Sequence, residues 1–270
     1  MSAGAHTPRK RFGQNFLVDR NHVAKIIAAI DPRPGDNVVE IGPGQAALTR
    51  LLIERTGRIH AIEIDRDLGA RLVAEFPPER LALHVADALA FDFAALGERL
   101  RVVGNLPYNI STPMLFHLAS FAPRLRDLHL MLQKEVVARM TAVAATKDYG
   151  RLSVMLQASF RVERLLVVPP GAFFPAPKVE SAVVRMVPLG AGKPRVTDEA
   201  LFARVVAAAF GQRRKTLRNA LSGVADDAAL ERAGIDPRAR GETLTVADFG
   251  RLTNALVGAQ PQPRSGRRTG

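Results

Sequence analysis

The sequence predicts an α/β protein: a mostly parallel β-sheet with crossover helices, followed by a small all-helical domain. Three observations predict it. Between residues 20 and 133, short apolar runs rich in β-branched residues alternate with amphipathic stretches. A glycine-rich turn, Gly42-Pro43-Gly44, follows the first of those runs. Beyond residue 197 the apolar spacing is helical throughout. Strands separated by helices imply right-handed crossovers and hence parallel neighbours.

Taken in order, residues 22–30 place Val23, Ile26, Ile27 and Ile30 on one helical face. Pro32, Pro34 and Gly35 punctuate the chain before a buried strand at 37–41. Further strands are expected at 58–64, 81–85, 101–104 and 127–132, with helices between most of them. Thr112 and Pro113 read as N-cap and first residue of a helix, and another helix is expected near 134–145. Strands at 160–167 and 179–187 flank a proline-rich loop and should complete an antiparallel edge. In the helical domain, Thr197 is the expected N-cap of a helix whose inner face is Leu201, Phe202, Val205, Val206 and Phe210. Thr245 and Asp248 match a capping box ahead of Phe249, Leu252 and Leu256. The division that follows is a first domain at 1–188 with an N-terminal lid segment, a linker at 189–196, a helical domain at 197–258 and an unstructured basic tail at 259–270.

The 270 residues carry a net charge of +12. Such an excess attracts polyanions without dictating fold, so the placement of the charge matters more than its sum. With no cysteine, the chain has neither a disulfide nor a thiolate metal site. Its six histidines, at 6, 22, 60, 84, 117 and 129, are scattered without paired spacing, so no metal site is expected. No stretch resembles a signal peptide, and none reaches the roughly 18 apolar residues that span a bilayer. The expected setting is cytoplasmic, without a membrane partner.

Residues 38–49, VVEIGPGQAALT, place Gly42-x-Gly44-x-x-Ala47 after a strand and ahead of a helix. Small residues there allow a tight backbone path and close approach by a ligand. Glu63 lies twenty-one residues beyond Gly42, at the end of the next strand. A carboxylate there can accept hydrogen bonds from both hydroxyls of a ribose. Asp87 follows the strand after that, within reach of an adenine amine. Three successive strand ends thus converge on an adenosine-bearing cofactor at the carboxyl edge of the sheet. The pattern accommodates NAD and S-adenosylmethionine alike. Glu40, two residues before Gly42, leans towards the second, because a negative group burdens a pyrophosphate but suits a sulfonium and an ammonium. The competing reading of Glu40 is a structural acceptor for loop N–H groups.

The tetrad Asn105-Leu106-Pro107-Tyr108, directly after a strand, is the most informative motif. The exocyclic amine of adenine is a poor nucleophile, because its lone pair is delocalised into the ring. It attacks a methyl group only as it becomes tetrahedral with its protons held by acceptors. The Asn105 side-chain oxygen and the Leu106 carbonyl can supply those acceptors. Pro107 biases Leu106 away from helical geometry and holds that carbonyl in place. Tyr108 offers a flat face to the base. Phe173 is the candidate for the opposite ring face, with Phe174 competing and one of the two expected in the core.

Two basic segments suit phosphate. Arg213, Arg214, Lys215 and Arg218 fall within six positions, and at helical spacing Arg214 and Arg218 share one face. Arg9, Lys10 and Arg11 precede the phenylalanines of FGQNFL, in a segment that reads as folding over the site.

The ordered stretches RKRFGQNFL (9–17), VEIGPGQAALT (39–49), AIEID (61–65), DAL (87–89), NLPYNIS (105–111), MLQKEVVARM (131–140), PPGAFFPAPKVESAVVR (169–185) and FGQRRKTLRNAL (210–221) carry a family resemblance. Over nearly the full chain the sequence resembles the small-subunit ribosomal RNA adenine N6,N6-dimethyltransferases associated with kasugamycin sensitivity. The resemblance implies a Rossmann-like class I S-adenosylmethionine-dependent methyltransferase domain and a small helical domain. It implies two methyl transfers to each of two adjacent adenosines near the 3′ end of small-subunit rRNA, within an immature subunit, by a protein that is monomeric when free. It further implies that Asn15 and Leu17 contact the cofactor from the N-terminal segment, with Gly42 against its methionine part. Glu63 would hold ribose, Asp87 adenine, and Asn105 would stand between cofactor and target, with Tyr108 and Phe173 flanking the base. Many family members have leucine then glycine or alanine after the Gly-Pro-Gly turn, where this chain has Gln45 and Ala46. The competing readings are a large-subunit rRNA adenine methyltransferase of the macrolide-resistance type, a DNA adenine methyltransferase, an assembly factor with secondary catalysis, and an NAD-linked dehydrogenase.

Overall fold

The computed structural model describes residues 13–192, 194, 196–212 and 214–258, and the tail expected at 259–270 lies outside them. In chain order the elements are β1 (Phe16–Leu17), α1 (Arg20–Ile30), β2 (Val38–Ile41), α2 (Thr49–Thr56), β3 (Ile59–Glu63), α3 (Arg66–Glu75), β4 (Leu81–Val85), β5 (Leu100–Asn105), α4 (Ser111–Ser120), β6 (Leu125–Gln133), α5 (Lys134–Thr141), α6 (Arg151–Gln157), β7 (Phe160–Val168), β8 (Phe173–Phe174), β9 (Ser181–Pro188), α7 (Glu199–Gly211), α8 (Leu217–Ala220), α9 (Asp227–Arg232) and α10 (Val246–Val257). Among the described residues, no helix is long and apolar enough to cross a membrane.

Two compact units emerge. One comprises the residues up to Thr141 with Ser159–Gly190, the other Ala142–Ala158 with the residues from Ala191 onward. The sequence division at 188 assigns 142–158 to the first domain; the contacts assign them to the second. Tyr149, Val154 and Ala158 are buried with Leu201, Phe202 and Phe249, and the Tyr149 hydroxyl donates to the Leu244 carbonyl at 2.9 Å. An apolar stretch interrupted by Gly150 carries no local sign of which core it joins.

The first unit holds a seven-stranded sheet of order β4-β3-β2-β5-β6-β9-β7. The pairs among β4, β3, β2, β5 and β6 are parallel, while β9 and β7 run antiparallel at the edge. β1 and β8 form a separate antiparallel pair, Phe16 opposite Phe174 and Leu17 opposite Phe173. The four apolar residues read on α1 are all buried, packed in one cluster with Val38, Leu52, Ile59 and Leu72. Asp19 caps the start of α1 by accepting the His22 N–H at 2.9 Å.

A buried ion cluster fixes the other end of the sheet. The Arg101 guanidinium donates to Asp127 at 3.0 Å, to Asp36 at 2.6 Å and to the Asp31 carbonyl at 3.0 Å. It thereby ties β5 to β6 and to the end of α1. Burial alone would raise the Asp36 carboxyl, but the Arg101 contacts hold it below its ordinary value.

Two helix starts and one helix continuation differ from expectation. α4 begins at Ser111, whose hydroxyl donates to the Pro107 carbonyl at 3.1 Å, so Thr112 and Pro113 lie inside the first turn. Asp198, not Thr197, caps α7 by accepting the Leu201 N–H at 2.8 Å, and the Thr197 hydroxyl bonds Asn254 instead. An aspartate one residue on offers a stronger anion to the same N–H groups. The chain also leaves helix between α7 and α8, so Arg214 and Arg218 share no helical face. The Thr245–Asp248 capping box forms as read.

Candidate active site

Strand order reverses between β2 and β5, because the chain passes from β2 outward to β3 and β4, then returns to β5. Side chains and loops at such a switch point surround a crevice at the carboxyl ends of the strands. Here that crevice is a cavity of about 280 Å³. It is lined by Glu40, Gly42 and Gly44 from the end of β2, Glu63 from β3, Asp87 beyond β4, the 105–110 segment after β5, and the 13–17 segment.

The turn after β2 needs its glycines. Gly42 and Gly44 have φ of 66° and 57°, a region costly for residues with a Cβ. A Cβ on Gly44 would also meet the Phe16 ring at 3.0 Å. Ala46 takes φ of 63° as well, a conformation that glycine adopts at less cost than alanine.

Glu63 is buried, and its two oxygens accept the Gly44 N–H at 3.2 Å and the Asp65 N–H at 2.9 Å. Burial raises its carboxyl, and those two hydrogen bonds oppose the rise. Asp87 is exposed and accepts the Leu89 N–H at 2.9 Å. Glu40 is 2% exposed, and its Oε2 has no hydrogen-bond partner. Burial, opposed by the Thr49 hydroxyl and reinforced by the nearby Glu63 charge, pushes the Glu40 carboxyl up to about 7. The structural reading of Glu40 as an acceptor for loop N–H groups is therefore not realised at that oxygen. No lysine, arginine or histidine lines the cavity among the described residues. An acidic cavity with one orphaned buried oxygen fits a cationic adenosine ligand and opposes a pyrophosphate.

The tetrad residues Asn105 to Tyr108 line the same cavity. The Asn105 amide Nδ2 donates to the Asn15 carbonyl at 2.9 Å, which orients the carboxamide and leaves Oδ1 as acceptor. The Leu106 N–H donates to Met131 at 3.1 Å, while its carbonyl receives no hydrogen bond among the described residues. The Pro107 carbonyl is taken by Ile110 N–H and the Ser111 hydroxyl. Tyr108 is half-buried and its hydroxyl pairs with Ser181 at 2.9 Å. Leu17 is buried beneath the cavity wall.

Phe173 is a correction. It is 4% exposed, opposite Leu17 and packed in the core with Val168 and Met131. A ring so covered has no face to offer a base. Phe174 is 63% exposed; alternation along the short β8 strand sends neighbours to opposite sides. Neither lines the cavity among the described residues. Sequence reasoning missed Gln14, whose amide donates to Asp65 at 3.2 Å, Asn109 and Ser181. The FGQNFL run was the signal for Gln14.

Of the basic residues, Arg9, Lys10, Arg11 and Arg213 lie outside the described residues. Arg214 and Lys215 are exposed. Arg218 is exposed but pairs with Asp227 at 3.0 Å.

A mostly parallel sheet with its glycine turn at the switch point and carboxylates on successive strand ends defines a Rossmann-like class I S-adenosylmethionine-dependent methyltransferase. The family description "Ribosomal RNA adenine dimethylase" matches residues 5–257. The chain belongs to that family. It is 63% identical over 257 residues to the ribosomal RNA small subunit methyltransferase A of Aromatoleum aromaticum, covering 95% of this chain and 97% of that one. It is 63% identical over 252 residues to the protein of the same name from Thiobacillus denitrificans, covering 93% and 99%. Among solved structures, a dimethyladenosine transferase from Plasmodium falciparum superposes with a TM-score of 0.79 at 25% identity, covering 90% of this chain and 98% of that one. The 23S rRNA methyltransferase ErmE superposes with a TM-score of 0.69 at 28% identity, covering 90% and 100%.

Proposed function

We propose that the protein transfers methyl groups from S-adenosylmethionine to N6 of two adjacent adenosines near the 3′ end of small-subunit rRNA. The observation that carries this is that Asn105 and Leu106 line an acidic, cation-suited cavity. Identity of 63% to small-subunit methyltransferases over nearly the full length supports that substrate over large-subunit rRNA.

When bound, S-adenosylmethionine supplies an electrophilic methyl carbon on a sulfonium. Glu63 and Asp87 stand where the ribose and adenine of the donor would be held, and Glu40 faces its positive charge. Asn105 Oδ1 and the Leu106 carbonyl accept the two protons of the target amine, drawing its nitrogen towards tetrahedral geometry. Tyr108 stacks on the target ring, worth about 1–3 kcal/mol. The 13–17 segment lines the cavity, and Asn15 positions the Asn105 carboxamide. No strong general base is required, since the methylated amine is acidic enough to lose its proton to water. Catalysis then rests on positioning and desolvation.

The partner we infer is an immature small ribosomal subunit in the cytoplasm, engaged by a monomer, with Arg214 and Lys215 among the exposed cations that meet phosphate. The test is mass spectrometry of rRNA from immature subunits after incubation with the donor. Doubly methylated adenosine at two adjacent positions is expected, lost in Asn105→Ala. Product on large-subunit rRNA alone, or on neither, overturns the reading.

A further inference from the structure

Three carboxyls line the cavity, and they differ in how well the protein supports their charge. Asp87 is exposed and holds one backbone N–H. Glu63 holds two. Glu40 is 2% exposed and its Oε2 meets no donor. The groups around it compensate little: the Thr49 hydroxyl from α2 opposes the rise, the Glu63 charge on the β3 side adds to it, and Asp87, Asn105, Gln14 and Asn15 line the same cavity. None is cationic. An isolated buried carboxylate is costly, and a protein in that position protonates the group instead.

Resting on the methyl-donor reading above, we propose that Glu40 exchanges a proton for the positive charge of the donor. In the empty site Glu40 is a neutral carboxylic acid. As the sulfonium-bearing donor enters, the Glu40 O–H bond breaks, the proton passes to solvent, and the carboxylate faces the cation. Methyl transfer leaves a neutral thioether, S-adenosylhomocysteine, and Glu40 takes a proton back. The site thereby discriminates donor from spent product by one charge, which favours exchange between successive methyl transfers. A carboxyl pushed up to about 7 by burial is mostly neutral below that pH, which sets the pH of the test.

The experiment is titration calorimetry of the full-length protein with S-adenosylmethionine at pH 6, in three buffers of different ionisation enthalpy. At that pH the donor's own α-ammonium group is fully protonated and does not contribute. The slope of binding enthalpy against buffer enthalpy counts protons, and release of ~0.9 proton is expected for a group titrating near 7. S-adenosylhomocysteine should release less than half as much, and Glu40→Gln should release none. A ligand-induced infrared difference spectrum of the wild type, which needs no variant, should lose a carboxylic-acid carbonyl band. Donor binding without proton release or without that band's loss overturns the inference while the donor reading stands. So does equal release with both ligands, or an unchanged release from Glu40→Gln. Failure of the donor to bind at all overturns the reading of the site and this inference with it.

Discussion

Gly104→Ala should slow methyl transfer and destabilise the fold together. Gly104 lies one residue before Asn105 and pairs with Ile41 across the β2–β5 seam. Its extended backbone accepts alanine, so the obstacle is space. A Cβ there meets the Ile41 carbonyl oxygen at 2.9 Å, Leu106 Cδ2 at 3.2 Å and Ile41 Cβ at 3.3 Å. Ordinary contact begins near 3.4 Å, so the seam has to part by about 0.5 Å against backbone that cannot swing away. Positioned groups tolerate a displacement of roughly 0.5 Å, and about 1 Å costs on the order of 100-fold in rate. The expected loss in kcat is therefore about tenfold, or ~1.4 kcal/mol. Overpacking adds about 1–3 kcal/mol of destabilisation, which for a chain of this size lowers Tm by roughly 2–12 °C. Single-turnover transfer of labelled methyl to immature small subunits gives the first quantity, and circular dichroism melting gives the second. A variant with kcat within about twofold of wild type and an unshifted melt would refute the reasoning, because it would mean the seam relaxes without moving Asn105.

Arg101→Met removes the buried cation shared by Asp127 and Asp36, leaving only the part-exposed Arg185 and Arg126 beside them; urea unfolding should show a loss of about 3–5 kcal/mol, and a loss below about 1 kcal/mol would show that water or those arginines make up for it. His129 is buried with neither ring nitrogen hydrogen-bonded, and burial holds its pKa down to about 4 despite the nearby Asp127. A base whose folded pKa lies below its ordinary 6.5 contributes full stability above that pH and loses it progressively as pH falls towards about 4. Wild type should therefore weaken by up to ~2 kcal/mol between pH 6.5 and 5, and His129→Leu should flatten that slope; an equal slope in both sinks the assignment. Tyr108→Phe removes the bond to Ser181 but keeps the ring, so substrate affinity should change less than about fivefold, against roughly 5- to 150-fold for Tyr108→Ala; equal losses in both would mean the hydroxyl matters and the ring does not.

The parallel strands were legible because each is a short β-branched run closed by a turn, and such runs carry their own boundaries to within a residue or two. Gly42, Glu63 and Asp87 were legible for a related reason: in a β-α-β chain, strand ends recur at a spacing the sequence displays. The pairing of β1 with β8 was not, since two residues leave no period to detect. For the same reason Phe173 and Phe174 could not be told apart until the pair fixed which side faced Leu17. The bond from Asn105 to Asn15 spans ninety positions, and nothing local at either residue announces it. Helix starts failed where two capping residues stood side by side, as Thr197 and Asp198 do, because the choice depends on what else each side chain can reach. The basic run at 213–218 was read as one helical face because charge carries no signal of a break. The break itself follows from Gln212–Thr216, where the α7 ladder ends before α8 begins.

The two ligands of this enzyme impose opposite electrostatic demands, and the chain meets them on different length scales. A net charge of +12 draws a polyanion from beyond contact distance, yet salt screens that attraction over about 8 Å. Inside the cavity the governing groups are those within contact, and these are the carboxyls of Glu63 and Asp87, joined by Glu40 when it ionises, with no cation beside them among the described residues. A phosphate arriving on the long-range field therefore meets a lining that repels it, while a cationic donor is favoured there against the charge of the molecule as a whole. On the reading proposed above, Asn105 is an uncharged acceptor between the two ligands. A carboxylate in its place would compete for the donor's charge, and a cation would compete for the target's phosphate. A carboxamide does neither, and it still accepts the proton that the reaction requires be held.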